Sequence, residues 1–290
     1  MDLSAVNCLS VLEDGRIVSC SDNGNIVIYN KKTYKPDLII KENRDCVNNI
    51  LNIQSNLLVS GSWDETIKLF KIKNKNYEII QTFNYHKNWI YKIIELKNKN
   101  LVSCSRDKSI IIYPKDGDKY QMEYQITTFN ICFTIAQTKD NEICFLEEMD
   151  YYNSYICFYD LNERKSKSKI SKIESSGNFG PFNMITKDLL IVGGKNQIII
   201  INVNQYKIIR KINLYNSSWI YGFCKLNENM FLIGDSKGKI RQWKIEGDDN
   251  INEISQKNKA HGRLIYSIIK IGYGMIASCS SDKSIKIWGK

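Results

Sequence analysis

The chain is short of the residues from which most catalytic and metal sites are made. Its 290 residues include two histidines, His86 and His261, and three prolines. Two imidazoles cannot complete several metal sites, and no two of the nine cysteines stand in a Cys-x-x-Cys pair. There is no Gly-x-x-x-x-Gly-Lys loop; Gly193-Gly194-Lys195 is too short to cradle a phosphate. No run of eighteen apolar residues occurs, which excludes a membrane-spanning helix. The opening stretch, "MDLSAVNCLSVLEDG", is acidic and enters a strand pattern at once, which argues against a secretory signal. Nothing reads as a linker or a low-complexity tract, so residues 1–290 are expected to form one domain.

Repetition fills the space that motifs leave empty. Each histidine stands 21 residues before an aspartate in a shared motif, His86 before Asp107 and His261 before Asp282. The preceding residues are Ser103-Cys104-Ser105-Arg106 and Ser278-Cys279-Ser280-Ser281, and an aromatic follows six residues after each Asp, Tyr113 and Trp288. That closing position recurs at Tyr29, Phe70, Tyr113, Tyr159, Ile201, Trp243 and Trp288, at spacings of 41, 43, 46, 42, 42 and 45 residues. Each copy reads as two short strands rich in Ile, Val and Tyr about a turn of Asp, Asn, Gly, Lys and Ser, as in "LLVSGSWDETIKLF" (57–70). A further strand precedes each pair and another follows most of them. Four short strands every forty-odd residues, with few prolines and no helical periodicity, predict an all-β, seven-bladed propeller of four-stranded antiparallel blades.

Composition narrows the function. Three cysteines, Cys20, Cys104 and Cys279, share one repeat position where blade 2 has Gly61, so the thiols are expected to be reduced and in the core. The expected compartment is cytoplasmic or nuclear. The net charge of +10 comes from lysines spread along the chain, with one cluster at 164–172 in blade 4. That cluster reads as an edge strand guarded by lysine, with docking of an anionic partner as the alternative. The group Glu147-Glu148-Met149-Asp150 lacks the alternating oxygen spacing of a calcium loop and reads as a solvated insertion. No cofactor, metal or catalytic residue is indicated, and the chain is not expected to be an enzyme.

The motifs Ser60-Gly61-Ser62-Trp63-Asp64 with Phe70, and 278–282 with Trp288, together with His86 and His261, resemble the WD40 repeat family over essentially the whole length. In that family a His, Ser, Asp and Trp in each blade form a hydrogen-bonded tetrad. Blade 7 carries the full set: His261, Ser278 (or Ser280), Asp282 and Trp288. Blade 3 has His86, Ser103 (or Ser105) and Asp107, with Tyr113 in place of Trp. Blade 2 keeps Asp64 but has Asn43 and Phe70; blade 6 has Asn216, Lys237 and Trp243; blades 4 and 5 have lost the set. The last strand pair ends at Trp288, so blade 7 is expected to lack its outer strand. Either the chain is a segment of a longer protein, or 284–288 is an open edge suited to strand addition.

The resemblance also implies a binding face at the loops that carry the histidines. The residues flanking the first isoleucine of the inner strand, and those before the turn aspartate, would line it. They are Trp63, Trp89, Tyr91, Arg106, Trp219, Tyr221, Arg263 and Tyr266, types enriched in binding hot spots. The implied function is a non-enzymatic scaffold that binds a peptide or protein loop there. The alternative is a substrate-recognition or adaptor subunit of a ubiquitin ligase, trafficking or cytoskeletal assembly, although the Trp-Asp-x-Arg signature of cullin-ligase propellers is missing. Acidic lipid remains a third partner class; nucleic acid is not expected, and the sequence is silent on oligomeric state.

Overall fold

Alternating apolar and polar positions make strands, and short Asp/Asn/Gly/Lys turns decide where they reverse. The computed structural model describes residues 4–54, 56–148, 153–174, 180–214, 218–247, 250–272 and 274–289, and every regular element in them is a β-strand. The strands form seven antiparallel sheets over 6–40, 47–83, 90–127, 132–174, 182–213, 220–257 and 265–288, in simple meander order. This is the seven-bladed β-propeller that the repeat predicts. Six blades have four strands. Blade 7 has three among the described residues: Ile265–Gly272, Met275–Ser280 and Ile285–Trp288. One element escapes the sequence pattern, a two-residue hairpin of Lys115–Asp116 and Lys119–Tyr120 before the fourth strand of blade 3.

The residues gather into two compact units, 1–132 with 269–290, and 133–268. In the first unit, Val18, Cys20 and Ile28 of blade 1 pack on Val47, Ile50 and Phe70 of blade 2. The other face of blade 2, with Val59, Leu69 and Phe83, packs on Ile93, Ile111 and Tyr113 of blade 3. The second unit repeats the arrangement. Ile199 and Ile201 of blade 5 meet Leu146 and Phe158 of blade 4, while Ile198 and Ile200 meet Ile220, Phe231 and Trp243 of blade 6. A strand covered on both faces has no place for polar alternation, which explains the run of four isoleucines at 198–201. Each such side chain contributes roughly 1.5–3 kcal/mol by leaving water.

Two local devices recur from blade to blade. The pairing of third and fourth strands shifts register at Tyr29, Phe70, Tyr159, Ile201 and Trp243, so the closing residue sits at a bulge where the strand bends. The turn between second and third strands holds one residue in the left-handed region: Gly24, Glu65, Lys108, Asn196, Gly238 or Lys283, with φ of 82, 72, 64, 58, 74 and 69°. At position 24 only glycine fits, because a Cβ would lie 2.6 Å from the Asn43 carbonyl oxygen.

Blade 4 departs from the expectation of a solvated acidic insertion. Glu147 and Glu148 belong to the strand Glu142–Glu148, and Glu147 is buried. Met149 to Tyr152 lie outside the described residues, as do Met1 to Leu3 and Asn216.

Candidate functional site

The turns that carry the candidate residues are fastened by side-chain chemistry that is most complete in blade 3. His86 Nδ1 donates to Asp107 Oδ2 at 2.8 Å, and Nε2 meets Ser103 Oγ at 2.7 Å. Ser103 Oγ in turn lies 3.1 Å from the Tyr113 hydroxyl. The carboxylate can only accept, so the proton order is Tyr113 to Ser103 to His86 to Asp107, with each link satisfied. Tyrosine thus does through its hydroxyl what an indole N–H does in blade 7, where Trp288 Nε1 donates to Ser278 Oγ at 2.8 Å. Asp107 also accepts from the Lys87 amide at 2.9 Å and from the Ser109 hydroxyl. Burial pushes this carboxyl upward, but His86, Ser109 and the Lys87 amide outweigh it and hold the pKa at about 2.

The other blades keep fragments of this chain. In blade 2, Asn43 stands where histidine would, 3.5 Å from Asp64 Oδ2 and 3.4 Å from Ser60 Oγ, while Phe70 offers no donor. Blade 1 pairs Ser19 with Tyr29 at 3.2 Å, a link the sequence reading missed. Its signal was present: serine ten residues before an aromatic hydroxyl or indole, as in Ser103/Tyr113 and Ser278/Trp288. In blade 6, Asp235 rather than Lys237 caps the turn, accepting from the Lys237 and Lys239 amides. Asp282 caps its own turn through Ser284, and His261 is buried in the second unit.

A backbone clamp fixes the rim of the turns. The amide of the residue after the second serine, or after Asp235 in blade 6, donates to the carbonyl of the residue before the first strand. The pairs are Asp22 to Ala5, Trp63 to Cys46, Arg106 to Trp89 and Ser236 to Trp219, at 3.1, 2.8, 2.9 and 2.8 Å. In blades 2 and 3 the clamp brings three of the expected site residues together. Trp63 stacks on Trp89 with ring centroids 4.1 Å apart and planes 6° from parallel, and Arg106 Cζ lies over the Trp89 ring at 4.4 Å. Both indoles are half-buried and Arg106 is exposed, with Lys87 and Lys108 exposed on the same two turns. Those two lysines were not among the sequence candidates.

Tyr91 does not join them. It was expected on the rim but is buried at 7 % exposure, and Asn48 of the neighbouring blade donates to its carbonyl at 2.8 Å. Period-2 alternation assigns a face and cannot say what the adjacent blade lays over it. In the second unit, Tyr221 and Tyr266 meet edge to face at 6.1 Å, and Lys195 Nζ lies 5.7 Å from the Trp219 ring centroid. Trp219, Tyr221 and Tyr266 are half-buried and Arg263 is exposed.

The lysine cluster of blade 4 is engaged by its own sheet. Lys167 pairs with Asp160 at 2.7 Å and approaches Glu142 at 3.9 Å. Lys169 pairs with Glu147 at 3.2 Å and lies 3.7 Å over the Tyr155 ring, and Lys165 pairs with Glu163 at 2.7 Å. The two buried glutamates explain why the fourth strand is lysine-rich: each needs a cation across the sheet.

Four segments of the chain, 3–30, 38–71, 77–113 and 253–289, match the WD40 family, the WD domain or G-beta repeat. They fall on blades 1, 2, 3 and 7 and leave the degenerate repeats between them unmatched. A 93-residue stretch is 31 % identical to Rho GTPase-activating protein gacL of Dictyostelium discoideum, covering 31 % of this chain and 12 % of that protein. Among the described residues no helix is long and apolar enough to cross a membrane.

Proposed function

We propose that this chain, a WD40-repeat protein, is a non-enzymatic scaffold that receives a peptide or a loop of another protein on the Trp63–Trp89–Arg106 surface. WD40 propellers generally mediate protein–protein interaction, and the stacked pair is the observation that supports this particular place. Two half-exposed indoles and an arginine are the side chains that contribute most at interfaces. Here they are held by hydrogen-bonded turns, so little conformational freedom is left to lose on binding. Trp219, Tyr221, Tyr266 and Arg263 are proposed as a second group of contacts. The test is capture from native lysate with Trp89→Ala and Trp219→Ala variants that melt as the wild type does. Loss of specific proteins supports the reading, and unchanged recovery with both variants overturns it.

The second reading is an adaptor or recognition subunit of a larger assembly. It is favoured by the likeness to a short segment of a protein of which the match covers only 12 %; the activity in that protein's name is not carried over. The two readings separate on what is recovered: one stable multi-subunit assembly, or several unrelated partners. Attraction to acidic lipid is disfavoured by the internal pairing of Lys165, Lys167 and Lys169, and would show as binding lost steeply with salt. A cytoplasmic or nuclear setting is proposed on the placement of the cysteines, eight of the nine lying buried in the blades.

A further inference from the structure

Blade 1 holds two thiols that the scaffold reading does not use. Cys8 on the first strand, Val6–Val11, and Cys20 on the second, Ile17–Ser21, are direct register partners in an antiparallel pair. Such partners project from one face of the sheet with Cα atoms about 4.5–5.5 Å apart, within the roughly 4.4–6.8 Å that a disulfide spans. Both face blade 2. Cys20 is enclosed by the core that contains Val47 and Ile50, and Cys8 Sγ lies 3.9 Å from the Ile50 carbonyl oxygen.

The two sulfurs differ in a way that suits sequential chemistry. Of the nine cysteines Cys8 alone is not fully buried as a residue. Its sulfur accepts from the Asn49 side-chain amide at 3.8 Å, and its thiol donates to the Leu9 and Ile50 carbonyl oxygens at 3.6 and 3.9 Å. The neighbouring Cys20 thiol, with the Lys92 ammonium, outweighs burial and brings the Cys8 thiol down to about 6. Burial pushes Cys20 the other way, well above the usual range, so it keeps its proton until a partner sulfur is oxidised.

We propose that Cys8 and Cys20 are a peroxide-oxidisable dithiol, with Cys8 as the reacting sulfur and Cys20 as the resolving one. The Cys8 thiolate attacks hydrogen peroxide and the O–O bond breaks. Cys8 becomes a sulfenic acid, and the departing hydroxide takes a proton to give water. Cys20 sulfur then attacks Cys8 sulfur: the S–S bond forms, the S–O bond breaks, and the hydroxide leaves as water with the Cys20 proton. In total two thiols and one hydrogen peroxide give one disulfide and two waters. The bond would tie the first strand of blade 1 to the second within its own sheet, and a thiol reductant would reverse it.

The experiment uses the whole chain at pH 7 with a slight excess of hydrogen peroxide. It is followed by intact-mass measurement, denaturing alkylation of remaining thiols and peptide mapping without reductant. The expected result is a loss of about 2 Da, a peptide pair linked through Cys8 and Cys20, and recovery of the original mass with dithiothreitol. With Cys20→Ser, Cys8 should stop at a sulfenic acid that dimedone traps. With Cys8→Ser no thiol should oxidise under the same conditions. An unchanged wild-type mass, oxygen addition at Cys8 without a linked peptide, or linkage between a different pair would each overturn the proposal. The wild-type result decides the matter even where a variant fails to fold.

Discussion

Trp63 lies flat on Trp89, with ring centroids 4.1 Å apart and planes 6° from parallel, although 26 residues and a blade boundary separate them. The contact exists because each indole is clamped by backbone to its own turn, Trp63 through Cys46 and Trp89 through Arg106. A rigid aromatic step with a guanidinium over it results at the surface of blades 2 and 3.

That pair should be coupled in stability. A double-mutant cycle of Trp63→Ala and Trp89→Ala in urea denaturation is expected to give an interaction energy of about 0.5–1.5 kcal/mol. Strict additivity would mean that the stack contributes nothing beyond area burial.

The Ser103–Tyr113 link should be modest and replaceable. Tyr113→Phe is expected to cost about 0.5–1.5 kcal/mol, since it removes one hydrogen bond and keeps the ring. Tyr113→Ala, which also empties a fully buried site, should cost about 3–5 kcal/mol. Tyr113→Trp should recover most of that loss if an indole can reach the serine as Trp288 reaches Ser278. Equal destabilisation by Phe and Ala would show that packing plays no part.

Asp107 sets an acid limit. Its folded pKa of about 2 lies below the ordinary value near 3.8, so the folded state holds the proton less tightly than the unfolded state does. The resulting stabilisation, about 1–2 kcal/mol, is fully present above about pH 5 and lost as pH falls through about 2. Denaturation curves at pH 7, 4 and 3 should show this loss, and Asp107→Asn should flatten it. A pH slope unchanged in the variant would assign the acid sensitivity elsewhere.

In blade 4, position along the lysine cluster should decide the effect of mutation. Lys169→Met leaves buried Glu147 without its cation and is expected to cost about 1–3 kcal/mol. Lys165→Met, whose partner Glu163 is as exposed as itself, should leave the melting temperature unchanged. Replacing Lys169 and Glu147 together by methionine should cost less than losing Lys169 alone. Equal effects of the two lysine variants would contradict a pairing role for Lys169.

What sequence could reveal here follows from the range of each interaction. The blades were legible because strand alternation and turn chemistry are local: the Ser-x-Ser step, the aspartate cap and the closing aromatic all lie within about a dozen residues. His86, Ser103 and Asp107 were legible as well, because the repeat fixes their spacing. Glu147 was misread because the cation that permits its burial, Lys169, is 22 residues away on another strand of the sheet. Tyr91 was misplaced because its cover comes from the neighbouring blade. The Trp63–Trp89 stack could not be foreseen for the same reason, since two residues named separately say nothing of whether their rings meet.

The most direct test of the binding surface is quantitative capture from native lysate on wild-type chain and on the Trp63→Ala/Trp89→Ala variant. The variant must first be shown to melt cooperatively above the assay temperature, and Lys165→Met serves as the control. The prediction is at least a tenfold loss of specific partners with the double variant, equivalent to about 1.4 kcal/mol or more, and none with the control. The same partners at the same yield from all three proteins would contradict the assignment of binding to this surface.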